Sequence, residues 1–211
     1  MMNKNQNNLK PIVYVIDDDA AIRIALTLML EQENMLVQAF ESAEDFLRLN
    51  LEECKGCAII DIHMNGMDGM KLQEVLNHQA INLPIIFLTA YGNIPLSVKA
   101  IKSGAEDFLT KPITREKLLA AVYAALRKSE QLLEKSQHQQ TAQSKLMDLT
   151  EREQEIMILA VKGFANKEIA RHLNISYRTV EHHKTSILRK TGANSLLDLA
   201  GLAQKCGLIS M

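Results

Sequence analysis

The sequence predicts two domains: an N-terminal doubly wound α/β domain with a five-stranded parallel sheet, and a C-terminal domain of four helices. Three observations lead to this prediction. Apolar runs typical of buried strands alternate with amphipathic helical segments over residues 11–127, which indicates a parallel sheet covered by helices on both faces. Residues 128–147 are polar and contain no aromatic residue, which is typical of a linker. Residues 148–211 carry only helical signals.

The elements of the N-terminal domain follow from the spacing of its apolar residues. Short runs rich in β-branched residues predict strands over 12–16, 36–40, 57–60, 84–89 and 107–109. Apolar residues three and four positions apart predict helices over 20–33, 43–49, 70–77 and 95–103. A further helix follows Pro112, and we expect the linker to prolong it.

The C-terminal helices are predicted from their start and stop signals. Thr150 and Glu153 have the spacing of a capping box at the start of the first helix. A short helix over 166–173 is separated by a tight turn from a longer one over 177–191, and the last helix covers 195–204. Two helices joined by a tight turn indicate a helix-turn-helix motif.

Charge is distributed unevenly along the chain, although the formal net charge is only −1. From Lys162 to Lys190 there are seven basic residues and two acidic ones. The helix-turn-helix segment therefore has the positive charge that suits a nucleic acid partner. Residues 17–19, by contrast, are three aspartates. The two domains are thus expected to bind different partners.

Composition argues against several other classes of protein. No apolar run approaches the roughly 20 residues that span a bilayer, and residues 1–10, which we expect to be disordered, lack the apolar core of a signal peptide. Three cysteines favour a reduced, cytoplasmic protein over a disulfide-bonded one. Cys54 and Cys57 form a C-x-x-C pair, but it precedes a strand and no second pair completes a zinc site, so a buried structural Cys57 is the favoured alternative.

One group of polar residues is predicted to converge at the carboxyl edge of the sheet, because its members follow four of the predicted strands: Asp17, Asp18, Asp61, Thr89 and Lys111. Three neighbouring carboxylates repel one another unless a cation compensates them, and oxygen ligands of this kind suit Mg²⁺, or Mn²⁺. A metal ion, a lysine and a threonine hydroxyl together can bind a transferred phosphoryl group. Asp61 is then the expected nucleophile, which would form an aspartyl phosphate.

The segments "VIDDD", "DIHMNGMDG", "LTA" and "FLTKP", in this order, resemble the receiver domain of two-component response regulators. The resemblance covers roughly residues 10–127 and implies a flavodoxin-like sheet of strand order 2-1-3-4-5. It also implies that Asp61 accepts phosphate from a histidine kinase. Asp18 and the main-chain carbonyl of His63 would ligate the metal directly, and Asp17 mainly through water.

The same resemblance implies two further features and shows two departures. Phe108 matches an aromatic switch position that turns inward as Thr89 moves toward the phosphate, and Lys111-Pro112 matches a step that is typically cis. Asn65 stands where the family usually has proline. His63 and Tyr91 occupy positions that in the family influence how fast water removes the phosphate, so we expect altered dephosphorylation.

The segment from Leu149 to Ala193, with its "LTERE", "NKEIA" and "RTVEHH" pieces, resembles the LuxR/GerE-type helix-turn-helix. With the receiver, this matches the FixJ/NarL class of transcriptional regulators, and "RTVE" points to its FixJ-like branch. The resemblance implies base contacts from Glu181, His182 and Thr185. It implies phosphate contacts from Asn166, Lys167, Arg178, Thr179, Lys184 and Lys190, and dimerisation through the last helix.

The leading hypothesis is therefore a phosphorylation-activated regulator of transcription, not an enzyme beyond slow autophosphorylation and autodephosphorylation. Its expected partners are a sensor histidine kinase, double-stranded DNA, a second copy of the chain and RNA polymerase. Two alternatives stay open. An aspartate-nucleophile phosphohydrolase would need a second acid two residues after Asp61, where His63 stands. In a pure adaptor, the helical module would bind protein instead of DNA.

Overall fold

A computed structural model of the chain describes residues 10–90, 94–206 and 208. The expectations for residues 1–9 and for Tyr91 lie outside the described residues. The chain divides into two compact units, and the division falls between Leu132 and Leu133.

The first unit contains a parallel sheet with the strand order β2-β1-β3-β4-β5, which confirms the predicted topology. Its strands are β1 Ile12–Ile16, β2 Leu36–Phe40, β3 Gly56–Asp61, β4 Ile85–Thr89 and β5 Asp107–Thr110. All six residues of β3 are buried, because β3 lies at the centre of the sheet. Asp61, the last residue of β3, therefore ends a fully buried central strand.

Helices cover both faces of this sheet. They are α1 Ala20–Glu31, α2 Ala43–Phe46, α3 Gly69–His78, α4 Ile94–Lys102 and α5 Arg115–Met147. The predicted helix over 43–49 ends early, at Phe46, and a short 3₁₀ turn, Leu51–Glu53, follows it. Helix α5 continues through residues 128–147, as expected for a linker that prolongs it.

Alternate residues of each strand point to opposite faces, so the first unit has two apolar cores. Val13 and Val15 pack with residues of α1 and α5. Tyr14 and Ile16, one position along, pack with residues of α2, α3 and α4. This double burial explains why the strands show unbroken apolar runs and not an alternating pattern.

The second unit is helical, with α6 Glu151–Val161, α7 Asn166–His172, α8 Tyr177–Thr191 and α9 Leu196–Lys205. The capping box predicted from Thr150 and Glu153 is present at the start of α6. Helix α8 ends at Gly192, whose φ of 67° is in the left-handed region that glycine adopts without strain. Within the described residues, no helix is both long and apolar enough to cross a membrane.

Glu153 is a buried acid that connects two helices of the second unit. Its Oε2 accepts hydrogen bonds from Lys190 Nζ at 2.7 Å and from the Thr150 main chain at 2.9 Å, and its Oε1 accepts one from Ser186 Oγ at 2.8 Å. Burial by itself would raise the pKa of Glu153, but these hydrogen bonds outweigh it and lower the pKa from 4.5 to about 2. Glu153 thus ties α6 to α8 as an ionised carboxylate.

We predict that Glu153→Gln lowers the unfolding free energy of the full chain by about 2 kcal/mol at pH 7, because a hydrogen bond to a charged partner is lost inside the fold. Since the folded pKa is depressed, this stabilisation is complete above pH 4.5 and disappears as the pH falls toward 2. Urea unfolding followed by circular dichroism measures it.

Glu155→Gln is the matched control, because Glu155 lies on the same helix but its side chain is 54% exposed and pairs with the exposed Arg152. We expect its effect to stay within about 0.5 kcal/mol. Equal effects of the two substitutions would contradict the role assigned to Glu153.

Candidate functional site

Three carboxylates meet at the carboxyl edge of the sheet. Ile16 of β1 pairs with Ile60 of β3, so the residues that follow them, Asp17 and Asp61, lie side by side. Ligand oxygens of Asp17, Asp18 and Asp61 all lie within 4.8 Å of one another. Asp17 is 2% exposed and Asp61 is 6% exposed, so water screens their repulsion poorly.

Lys111 links two of these carboxylates. Its Nζ donates to Asp17 Oδ2 at 2.6 Å and lies 3.2 Å from Asp61 Oδ1. The Lys111 main-chain N–H donates to the carbonyl of Thr89 at 2.8 Å, and the Lys111-Pro112 peptide bond is cis. The end of β5 therefore aims the ammonium across the edge of the sheet, into the acidic cluster.

Two shifted pKa values describe the electrostatics of the cluster. Burial raises the pKa of Asp61, the charge of Lys111 opposes this, and Asp17 and Asp18 add to the rise. Burial disfavours the charged form of Lys111, but hydrogen bonding to Asp17 and the charges of Asp17 and Asp61 outweigh it and raise its pKa. One ammonium faces three carboxylates, so the cluster attracts a further cation.

The loops around the cluster are held by contacts that the sequence did not reveal. Arg23 Nη1 donates to the main-chain oxygen of Asp17 at 2.7 Å. In the loop after Asp61, Met67 N donates to Glu44 Oε1 at 3.0 Å. Arg23 and Glu44 carry no motif signal, and only the folded chain brings them to these loops.

Asn65 contacts the cluster directly. Its main-chain N–H and its Nδ2 both donate to Asp18 Oδ2, at 3.1 and 2.9 Å. The sequence marked Asn65 as a departure from the receiver pattern, but not as a partner of Asp18. His63, two residues after Asp61, is exposed.

Thr89 and Phe108 lie on the neighbouring strands β4 and β5. Thr89 ends β4 and is fully buried. Phe108 is half-buried and packs against the core formed with α2, α3 and α4. Both predicted switch residues therefore lie near Lys111, which directly follows β5.

The cysteines form no second site. Cys57 is fully buried in β3, and burial raises the pKa of its thiol to about 12. Cys54, Cys57 and Cys206 are all free thiols. The interpretation of Cys57 as a structural strand residue fits this geometry.

In the second unit, the predicted DNA-binding residues lie on α7 and α8. Those with exposed side chains are Lys167, Arg178, Glu181, His182 and Thr185, and those half-buried are Asn166, Thr179, Lys184 and Lys190. Lys184 Nζ donates to Asn166 Oδ1 at 2.9 Å, which ties the two helices together. Lys190 is the exception in the set, because it already pairs with the buried Glu153.

Two family models match the chain. Residues 13–123 match the response regulator receiver domain, and residues 147–203 match the bacterial regulatory proteins of the luxR family. The chain is 42% identical to the transcriptional regulatory protein TdiR of Thauera aromatica, over 89% of this chain and 82% of that protein. It is 36% identical to the transcriptional regulatory protein FixJ of Bradyrhizobium diazoefficiens, over 94% of this chain and 97% of that protein.

Solved structures agree with these relatives. The response regulator StyR superposes with a TM-score of 0.81 and 37% identity, over 93% of this chain and 99% of that one. Full-length FixJ from B. japonicum superposes with a TM-score of 0.57 and 36% identity, over 95% of this chain and 99% of that one. The chain therefore belongs to the two-component response regulators that join a receiver domain to a LuxR-type DNA-binding domain, and it is a transcriptional regulator of the FixJ/NarL class.

Proposed function

We propose that Asp61 accepts a phosphoryl group from the phosphohistidine of a sensor histidine kinase, and that this event controls promoter binding by the second unit. The observation that carries the proposal is the cluster of Asp17, Asp18 and Asp61 with Lys111 at the carboxyl edge of the sheet. The cluster combines a nucleophilic carboxylate with groups that offset the charge of a phosphoryl group.

The donor set fits a hard divalent cation, because its three ligand oxygens lie within 4.8 Å and are carboxylates. We assign Mg²⁺, or Mn²⁺ in its place, to Asp17, Asp18, Asp61 and the main-chain carbonyl of His63. When bound, the ion neutralises negative charge on the transferred group.

In the proposed transfer, a carboxylate oxygen of Asp61 attacks the phosphorus of the phosphohistidine. A P–O bond forms, the P–N bond breaks, and its electron pair leaves with the imidazole. Lys111 stays beside the phosphoryl group and offsets its charge, while the Thr89 hydroxyl donates to a phosphoryl oxygen. Phe108 turns further inward as Thr89 moves, which carries the signal to the surface formed by α4 and β5.

In the second unit we assign DNA binding to α7 and α8. Asn166, Lys167, Arg178, Thr179, Lys184 and Lys190 would contact phosphates and fix the register, and Glu181, His182 and Thr185 would read base edges. The exposure of Lys167, Arg178 and His182 supports this assignment. Lys190 contributes less than the others, because Glu153 already holds its ammonium.

We further propose a receiver over residues 11–127, a linker over 128–147 and a DNA-binding domain over 148–211. Phosphorylation would favour a dimer that places two copies of α8 on one operator. We place this dimer in the cytoplasm, where it would act on RNA polymerase. Leu196 and Leu197 of α9, which are 42% and 82% exposed, offer an apolar surface for such a dimer.

We predict that incubation of the full chain with acetyl phosphate and Mg²⁺ adds the mass of one phosphoryl group, and that Asp61→Asn abolishes this gain. Intact-protein mass spectrometry measures it. Asp68→Asn is the matched control, because Asp68 is exposed, caps α3 and should leave phosphorylation unchanged. Phosphorylation that persists in Asp61→Asn, or rapid turnover of many phosphoesters in place of a stable adduct, would contradict the proposal.

Exposed cations of the second unit should determine the salt dependence of DNA binding. We predict that Arg178→Ala weakens binding to all duplexes and reduces the slope of log affinity against log salt by about 0.9. Fluorescence anisotropy at several salt concentrations measures this slope.

Lys135→Ala, an exposed cation of α5 outside the proposed interface, is the control and should leave the slope unchanged. His182→Ala should reduce the preference for the operator by roughly 1–3 kcal/mol with little change in slope, since His182 is assigned to bases. An absence of duplex binding by the wild-type chain would support the protein-adaptor alternative.

A further inference from the structure

We infer that Asn65 is a positioning residue for the metal site: it orients the Asp18 carboxylate for the cation through two hydrogen bonds. The inference rests on the proposed function, because it takes the acidic cluster as the Mg²⁺ site. It concerns a position at which this chain departs from the usual receiver sequence.

The three carboxylates of the cluster have different partners. Lys111 contacts Asp17 and Asp61, whereas Asp18 has no ion pair within the described part of the chain. Asp18 instead receives the Asn65 main-chain N–H at 3.1 Å and Nδ2 at 2.9 Å. Asn65 therefore supplies hydrogen-bond donors to the one carboxylate of the three that Lys111 does not contact.

Asn65 binds one of the two oxygens of the Asp18 carboxylate. Both donors of Asn65 bind Oδ2 of Asp18, and no hydrogen bond to Oδ1 is found among the described residues. One oxygen is thus fixed by the protein while the other remains available to a cation. Hydrogen bonds to the second oxygen of a ligating carboxylate fix its orientation, so less ordering is needed when the metal binds.

The loop that carries Asn65 is held in place by several contacts. Met67 N donates to Glu44 Oε1 at 3.0 Å, and Gly69 N donates to the carbonyl of Ile62 at 3.0 Å. A Cβ on Gly69 would lie 2.3 Å from the carbonyl of Asp61, so only glycine allows this close return of the loop. The loop therefore holds Asn65 in a fixed position. Through this loop, Asp18 after β1 is connected to Asp61 at the end of β3.

Proline at this position would have neither donor, since it lacks both an N–H and a polar side chain. Alanine would keep the main-chain donor and lose Nδ2. The two substitutions therefore remove the hydrogen bonds of Asn65 in steps.

The test is titration of the full-length protein with Mg²⁺ in a calorimeter, repeated with Mn²⁺ by electron paramagnetic resonance. We expect Asn65→Ala to raise the dissociation constant about tenfold, and Asn65→Pro, which also lacks the main-chain donor, to raise it no less. In acetyl phosphate assays, the Mg²⁺ concentration for half-maximal phosphorylation should rise in parallel, while the rate at saturating Mg²⁺ falls far less.

Glu44→Gln is the matched control, because it weakens the hydrogen bond between Met67 N and the Glu44 side chain in the same loop and leaves the contacts of Asp18 intact. It should leave the Mg²⁺ affinity within about twofold of wild type, since ligand contacts are retained. Unchanged or tighter Mg²⁺ binding in Asn65→Ala, or an equal loss in Glu44→Gln, would overturn the inference while the proposed function stands. An absence of Mg²⁺ binding by the wild-type chain would overturn the proposed function, and this inference with it.

Discussion

The charge imbalance at the carboxyl edge of the sheet is the constraint on which the rest of the receiver depends. Two buried carboxylates, Asp17 and Asp61, lie beside a third and share one ammonium, that of Lys111. An arrangement of this kind costs folding free energy unless its surroundings hold each group in place. In the proposed function, the binding of a cation and a phosphoryl group accounts for an arrangement that is costly by itself.

The parallel sheet is what brings these groups together. The pairing of β1 with β3 sets Asp17 beside Asp61, and the crossover order places β4 and β5 next along the same edge. The apolar cores on both faces fix the strands and leave their carboxyl ends as the place where polar groups collect. The apolar residues that alternate along the strands therefore stabilise the fold and also fix the geometry of the site.

Much of this could be predicted from the sequence, because strands, helices and their end signals are local. The Thr150–Glu153 capping box and the proximity of the three aspartates are confirmed, and so is the strand order, which the resemblance to receiver domains implied. The contacts between Asn65 and Asp18 and between Lys190 and Glu153 were not predicted. They join residues 47 and 37 positions apart, and such pairs are set by packing, which the spacing of residues in one sequence does not specify.

The central claim is that chemistry at Asp61 in one unit controls DNA binding by the other. The most direct measurement is the affinity of the full chain for a genomic fragment selected by the phosphorylated protein, determined with and without acetyl phosphate and Mg²⁺. We predict that phosphorylation tightens binding by roughly 5- to 150-fold in the wild-type protein and not in Asp61→Asn. Equal affinity with and without the phosphodonor in a protein shown to be phosphorylated would contradict it.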